Sequence, residues 1–310
     1  MRRVQYHRYG GPEVMRLESV EPPLPGSGEV LVRVVAAAAN AMDWKIRNGE
    51  MRLLTGRGFP RGMGNDFAGV VEAAGEGVTR LRAGDAVLGG TSIKGAGAFA
   101  DLVIAEEKAV VRKPADLSYE QAATIPVVGI TALQALRGKE KLGPGHSVFI
   151  NGCLGGVGRA AAQIALTCGA SVAGSCRTPA ADEARGLGIA PLVGFGFDPA
   201  ELEGRFDIVL DTAGTLPNKA ARALLKPGGR IVDIVPAPLK LARSALPGPY
   251  QVLFGRTSTT DLDEVTRIAA RGELRIPIAH TVPLTDAIPA LTDLEHRPGR
   301  RGGKLLITTR

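Results

Sequence analysis

His146-Ser-Val-Phe-Ile-Asn-Gly152-Cys-Leu-Gly155-Gly156-Val-Gly158, followed by Arg159 to Cys168, is the stretch that decides the fold. Val148, Phe149 and Ile150 read as a buried strand. Ala161, Ala162, Ile164 and Ala165 repeat at helical spacing behind the glycines. Glycines at this junction let the backbone turn sharply, and the amides of Gly155, Gly156 and Val157 together with the helix dipole suit a pyrophosphate. The first glycine of the usual G-x-G-x-x-G is replaced by Cys153, with Gly152 one place earlier, so the match is to a shifted form. A glycine-rich turn without a ligand is the plainer alternative.

Working outward, strands and helices alternate after this turn. Ser171-Val-Ala-Gly reads as a strand, Pro179 to Gly186 as a helix, Asp207-Ile-Val-Leu-Asp211 as a strand, Asn218 to Leu225 as a helix and Gly229 to Ile234 as a strand. Such alternation predicts an α/β fold with a doubly wound parallel sheet. Ser118-Tyr-Glu-Gln has the form of a capping box and opens a helix leading toward the turn. Residues 1–117 are different: strand-like Glu29 to Ala37 and Asp66 to Ala74, with Gly84-Asp85 and Gly95-Ala-Gly97 turns bracketing Ala86-Val-Leu, predict a β-rich, partly closed barrel. Leu262 to Arg271 reads as a helix, and the tail as strand, helix and strand, with residues 275–310 returning to the first domain and 118–274 forming the second.

Bulk properties narrow the function. A chain of 310 residues has room for two full cores. The net charge of +7 comes from arginines scattered along the chain, which argues against nucleic acid and fits a general attraction for anionic cofactors. No apolar run approaches the roughly 20 residues of a membrane helix, and the amino-terminal residues lack a signal peptide's apolar core. A cytoplasmic protein with reduced thiols is expected, since Cys153, Cys168 and Cys176 are odd in number and show no C-x-x-C spacing.

Several motifs in order then resemble one family: Pro12-Glu-Val, Gly64-Asn-Asp-Phe-Ala-Gly-Val-Val, Gly77-Val-Thr-Arg-Leu-Arg-Ala-Gly-Asp, Gly129-Ile-Thr-Ala-Leu-Gln-Ala-Leu, Gly152-Cys-Leu-Gly-Gly-Val-Gly, Lys226-Pro-Gly-Gly-Arg and Arg300-Arg-Gly-Gly-Lys304. The chain resembles the medium-chain dehydrogenases/reductases, in the zinc-free quinone oxidoreductase (zeta-crystallin-like) branch. The resemblance implies a GroES-like catalytic domain, a Rossmann domain, a nicotinamide cofactor and a homodimer. Zinc-dependent relatives place a cysteine where Asn40 stands and a histidine-glutamate pair where Asn65-Asp66 stands. Carboxamides are poor zinc ligands, so no metal is expected. Without a Lewis acid, reduction of a quinone or of an activated carbon-carbon double bond is favoured over alcohol oxidation.

The cofactor is expected to be NADPH. NAD-binding relatives carry a carboxylate at the end of the second strand, a place that falls here at or near Cys176, within Gly174-Ser-Cys-Arg177-Thr. Ser175, Arg177 and Thr178 offer hydroxyls and a guanidinium suited to a 2′-phosphate; the plainer alternative for Arg177 is a solvated helix-start residue. By resemblance, Asn40, Asp43, Trp44 and Lys45 lie beside the nicotinamide. Asn40 then orients the substrate carbonyl, and Lys45 or a water supplies the proton; the alternatives are a loop cap and a surface charge. Thr131 is placed by the resemblance near the nicotinamide and phosphates, as are Arg301 and Lys304 near the cofactor in the closing motif, whose extra glycine disturbs the family spacing; Ala213 and Val235, at the ends of two strands, are placed to meet adenine-ribose and nicotinamide with their backbone. Asp211 reads either as a cofactor-edge residue or as a strand-end cap. Three functions are compatible with these residues: a quinone or enone reductase, an enoyl reductase dedicated to a biosynthetic pathway, and a non-catalytic NADPH sensor or scaffold.

Overall fold

The structure, a computed structural model, describes residues 1–56, 58–95, 97–138, 141–297 and 302–309. Ala96, Arg300 and Arg301 fall outside them. The chain forms two compact units, Met1–Val127 with Thr257–Arg310, and Val128–Arg256. These boundaries differ from those read in the sequence, for a packing reason. The helix Tyr119–Ala123 packs on strands Glu29–Ala38 and Asp66–Ala74, and the helix Thr259–Ala270 packs on strand Val110–Arg112, so both belong with the first unit.

In the first unit, among the described residues, Glu29–Ala38 is the central strand of a seven-stranded sheet. One edge pairs along its length with Asp66–Ala74. The other is shared: residues 29–33 pair with Leu102–Glu106, and residues 36–38 pair with the carboxy-terminal strand Lys304–Thr308. The carboxy-terminal strand is thus part of this unit's sheet. Strand Ile278–Pro283 flanks it in parallel. Alternating apolar residues, among them Val30, Val32, Val34, Phe67, Val87, Phe99 and Ile307, close a continuous core. A smaller sheet of Arg2–Tyr6, Met15–Ser19 and Arg61–Gly62 was not legible in the sequence.

The second unit contains a six-stranded parallel sheet. Numbered within the unit, the strands are Ser147–Asn151, Ser171–Ser175, Leu192–Val193, Phe206–Asp211, Leu225–Asp233 and Tyr250–Val252, in the spatial order 3-2-1-4-5-6. That order places the reversal of winding beside the first strand, where a dinucleotide binds at the carboxyl ends. Local chemistry explains the helix ends. The Ser118 hydroxyl accepts the amide of Gln121 at 3.1 Å, half of the expected capping box. The single helix expected from Ser118 is two, Tyr119–Ala123 and Pro126–Leu136, because Pro126 lacks an N–H and suits only a helix start. Pro179 likewise sits in a 3-10 turn, Thr178–Ala180, ahead of the helix Ala181–Gly186.

Candidate active site

Each unit buries a polar cluster of asparagine and aspartate side chains. In the second unit it surrounds the glycine turn. The strand Ser147–Asn151 ends at Gly152, whose φ of +84° is a left-handed conformation that favours glycine. The helix Gly156–Thr167 follows, with Gly155 at its N-cap and no side-chain cap bond. Its exposed first-turn amides are thus left for solvent or an anion. A Cβ at Gly158 would lie 2.2 Å from the Gly152 carbonyl oxygen, so any side chain there would displace the turn. Gly155 and Gly156 are exposed and Val157 is half-buried, an arrangement that fits a pyrophosphate approaching the backbone.

The second strand ends in Ser175, which is fully buried and already engaged. Its hydroxyl donates to Asn151 Oδ1 at 2.5 Å and accepts the Gly152 amide at 3.1 Å. Ser175 therefore shapes the turn and has no hydroxyl hydrogen left for a phosphate. Arg177 and Thr178, just beyond it, are exposed. Cys176 is buried, in thiol contact with Cys153, and burial raises both thiols, Cys153 to about 12. Neither is a ready nucleophile.

At the fourth strand Asp211 accepts Asn151 Nδ2 at 2.7 Å, the Gly214 amide at 2.8 Å and the Leu216 amide at 3.0 Å. These bonds make it a cap of the turn 212–216, and that turn carries exposed Ala213. Burial raises the Asp211 carboxyl above its ordinary range despite those donors. At the fifth strand Asp233 accepts the Val235 amide at 2.8 Å, the Tyr250 hydroxyl at 2.9 Å and the Lys240 ammonium at 2.7 Å. Val235 is half-buried and packs against Gly214. Thr131 is half-buried, its hydroxyl facing Gly255 closely enough that a Cβ there would lie 3.0 Å away.

The cluster of the first unit lies at the start of the helix Ala41–Arg47. Asn40, Asp43, Asn65, Asp66 and Lys304 are all buried. Asp43 Oδ2 accepts the Asn40 amide at 2.7 Å and Oδ1 accepts Asn65 Nδ2 at 2.7 Å. Asn40 Nδ2 donates to Asp66 Oδ2 at 2.9 Å, while its Oδ1 accepts the Lys304 ammonium, which also donates to Ala39 O at 3.2 Å. Asp66 Oδ1 accepts the Val127 amide at 3.0 Å, and the Thr91 hydroxyl donates to Asn65 Oδ1 at 3.2 Å. Desolvation dominates the titration of this group. It lifts Asp43 to about 6 and Asp66 to about 7 in spite of Lys304 and the donors, and it lowers Lys304.

Three expected residues thus meet here, though two in unexpected ways. Asn40 has both ends of its carboxamide engaged inside the protein, and Lys304 is enclosed with it. Lys45, on the same helix, is half-buried, outside the network and without a described side-chain bond. Arg301 lies outside the described residues. Asp66 and Asn65 entered the sequence reading only as vacated metal positions. The signal for Lys304 as a buried charge was present, a lysine opening the apolar strand Lys304-Leu-Leu-Ile, but its partners are more than 260 residues away in sequence.

Known proteins resemble the chain throughout. Residues 26–115 match the family model for the alcohol dehydrogenase GroES-like domain, and residues 196–307 match that for a zinc-binding dehydrogenase. Quinone-oxidoreductase QR1, chloroplastic, of Triphysaria versicolor is 33% identical over 258 residues, 79% of this chain and 78% of that protein. The quinone oxidoreductase structure from Coxiella burnetii matches with a TM-score of 0.86 at 27% identity, covering 100% of this chain and 99% of that one. The pikromycin polyketide synthase component PikAII of Streptomyces venezuelae is 34% identical over 226 residues, 70% of this chain but 6% of that protein.

The donor set of the first unit does not fit the zinc that one of these models names. A catalytic zinc needs thiolate, imidazole or carboxylate lone pairs turned toward one point. Here two carboxamide nitrogens and an ammonium point their hydrogens at the available oxygens, and among the described residues no three His, Cys, Asp or Glu side chains assemble a metal-binding group.

Proposed function

The chain belongs to the medium-chain dehydrogenase/reductase superfamily, in its quinone oxidoreductase branch, and is an oxidoreductase; from that premise we propose that it is an NADPH-dependent, metal-independent reductase of quinones or α,β-unsaturated carbonyl compounds. The observation that carries this reading is the combination at the carboxyl edge of the six-stranded sheet. An uncapped glycine-turn helix suits a pyrophosphate, and the second strand ends without a carboxylate, next to exposed Arg177.

When bound, the dinucleotide supplies a hydride to the electrophilic carbon of the acceptor. The amides of Gly156 and Val157 hold its pyrophosphate, with Gly155, whose own amide donates to the Gly152 carbonyl at 3.0 Å, shaping the approach; Arg177 and Thr178 hold the 2′-phosphate, and the ordered turns carrying Ala213 and Val235 present their backbone to the remainder. Thr131 belongs to the same set. Ser175 contributes by fixing the turn. In the first unit Asn40 and Asp43 set the start of the helix Ala41–Arg47, and Lys45, with no side-chain bond among the described residues, is the candidate to deliver the proton that follows hydride addition. Hydride transfer depends mainly on positioning and electrostatics, so a site with few free acids and bases is compatible with catalysis. The reading carries with it a cytoplasmic homodimer, tested by sedimentation of the purified protein. Among the described residues no helix is long and apolar enough to cross a membrane.

An enoyl reductase within a biosynthetic pathway is the second reading, supported by the likeness to the polyketide synthase component. NADPH and NADH consumption against a para-quinone, an ortho-quinone, an alkenal, a cyclic enone and an enoyl thioester tests both. Turnover of quinones or enones that favours NADPH supports the first reading, and turnover confined to the thioester supports the second. NADPH binding without turnover of any acceptor contradicts both and leaves a sensor.

A further inference from the structure

Lys304 is the only buried lysine among the described residues. Burying an ammonium is costly, and an apolar residue in its place would often be as stable. Its position follows from the sheet. Leu306 pairs with Ala38 and Ile307 with Ala37, which brings the start of the carboxy-terminal strand alongside Ala39 and Asn40. The ammonium donates to Ala39 O and to Asn40 Oδ1, and its charge is balanced by Asp66 and Asp43.

The consequence falls on Asn40. With Oδ1 on an ammonium and Nδ2 on the Asp66 carboxylate, only one orientation of the carboxamide is tolerated, because a flip would set hydrogens against the ammonium and oxygen against the carboxylate. The backbone amide of Asn40 is clamped by Asp43, which Asn65 holds in turn. The first residues of the helix Ala41–Arg47 are therefore fixed from four directions.

We infer that Lys304 is a positioning residue: its ammonium acts through Asn40 and Asp66 to place the helix that carries Trp44 and Lys45, and it does not meet the phosphates of the cofactor. Only the kinetic part of this inference rests on the reductase reading. The chain's only tryptophan, half-buried Trp44, lies on the helix in question and reports its placement without turnover.

The test compares wild type with Lys304→Met and with Lys304→Ala, the latter with ethylammonium chloride or an equal concentration of sodium chloride. NADPH affinity by calorimetry, Trp44 emission, and kcat and KM for the best acceptor are the readouts. In Lys304→Met, NADPH affinity is expected within about twofold of wild type, where loss of a charged phosphate contact would cost about tenfold or more. Trp44 emission shifts, and kcat falls about 100-fold, as expected when a reacting group is displaced by about an ångström. Ethylammonium, and not sodium, restores part of the emission and the rate in Lys304→Ala. If Lys304→Met does not fold, Asp66→Asn removes the other side of the same clamp and is expected to show the same split between affinity and rate. A fall in NADPH affinity of about tenfold with unchanged kcat would make Lys304 a cofactor ligand. Unchanged Trp44 emission and rate would remove its positioning role. Should wild type reduce no acceptor, the reductase reading fails, while the affinity and emission measurements still decide the part played by Lys304.

Discussion

Both units bury asparagine beside aspartate, and they compensate the charge by different means. In the six-stranded unit the Asp211 carboxylate is met by Asn151 and by the amides of Gly214 and Leu216, donors that the turn itself supplies. In the first unit Asp43 and Asp66 are met by Asn40, Asn65, single backbone amides and the ammonium of Lys304. A carboxylate held by backbone amides belongs to local chain geometry and tolerates a neutral isostere. One balanced by a distant cation depends on the partner remaining in place.

That contrast predicts its largest effect in a double-mutant cycle. Asp66→Leu leaves the buried ammonium of Lys304 short of a counter-charge and is expected to destabilise the first unit by about 4 kcal/mol, whereas adding Lys304→Met restores at least half of the loss. Urea unfolding at pH 8, above the raised Asp66 value, measures both. Additive losses would show that the two side chains do not compensate each other. Asp211→Asn, which keeps an acceptor for the turn amides, is expected to cost only about 2 kcal/mol in the same assay.

The next effect is on pH dependence. A carboxyl whose folded pKa lies above its unfolded value binds more protons in the folded chain, so the stability present at low pH is lost as pH rises between the two values. For Asp43 and Asp66 the interval runs from the ordinary value of 3.8 to about 6 and about 7. Stability of the first unit is expected to decline by about 4 kcal/mol from pH 5 to pH 8, and the decline should flatten in Asp66→Asn. Asp207 in the second unit has the opposite sign. Burial pushes it up, but bonds from Lys226 and Ser147 more than offset that and hold it below the ordinary range, so its contribution is present above the unfolded value and is lost on acidification. A flat profile between pH 5 and pH 8 in wild type would count against a protonated Asp43–Asp66 pair.

The smallest effects separate Ser175 from Arg177. Ser175→Ala removes two buried bonds of the glycine turn and is expected to lower stability by about 1–2 kcal/mol without changing the ratio of NADPH to NADH efficiency. Arg177→Ala, at an exposed position, should leave unfolding within about 0.5 kcal/mol of wild type yet reduce the preference for NADPH about tenfold. The reverse pattern would return the phosphate to Ser175.

Much of the fold was legible because it is written in local patterns. The run Ser147 to Gly158 carries strand, turn and helix within a dozen residues, and the strands ending at Ser175, Asp211 and Asp233 repeat its logic. The small sheet of residues 2–6, 15–19 and 61–62 was missed because its pairing joins segments without strong alternation. The helix Ala41–Arg47 was missed as well. Its N-cap is made by Asp43 reaching back to Asn40, inside a stretch that otherwise reads as a loop. Candidate-site identities were readable where a backbone feature demanded them, as at Gly152 and Gly158. They were unreadable where a role depends on partners. The Ser175 hydroxyl is held by Asn151, and Lys304 is enclosed with Asn40 by the returning strand, partners that neither local sequence announces.

The protein is dialysed against a strong chelator, its metal content is determined, and the initial rate of NADPH oxidation with the best quinone or enone is recorded before and after addition of zinc. The expected result is a rate unchanged by stripping and not raised by zinc, because Asn40, at one position that would hold the metal, is bonded to Asp66 and Lys304, and Asn65, at another, is bonded to Asp43. A rate lost on stripping and recovered with stoichiometric zinc would contradict it.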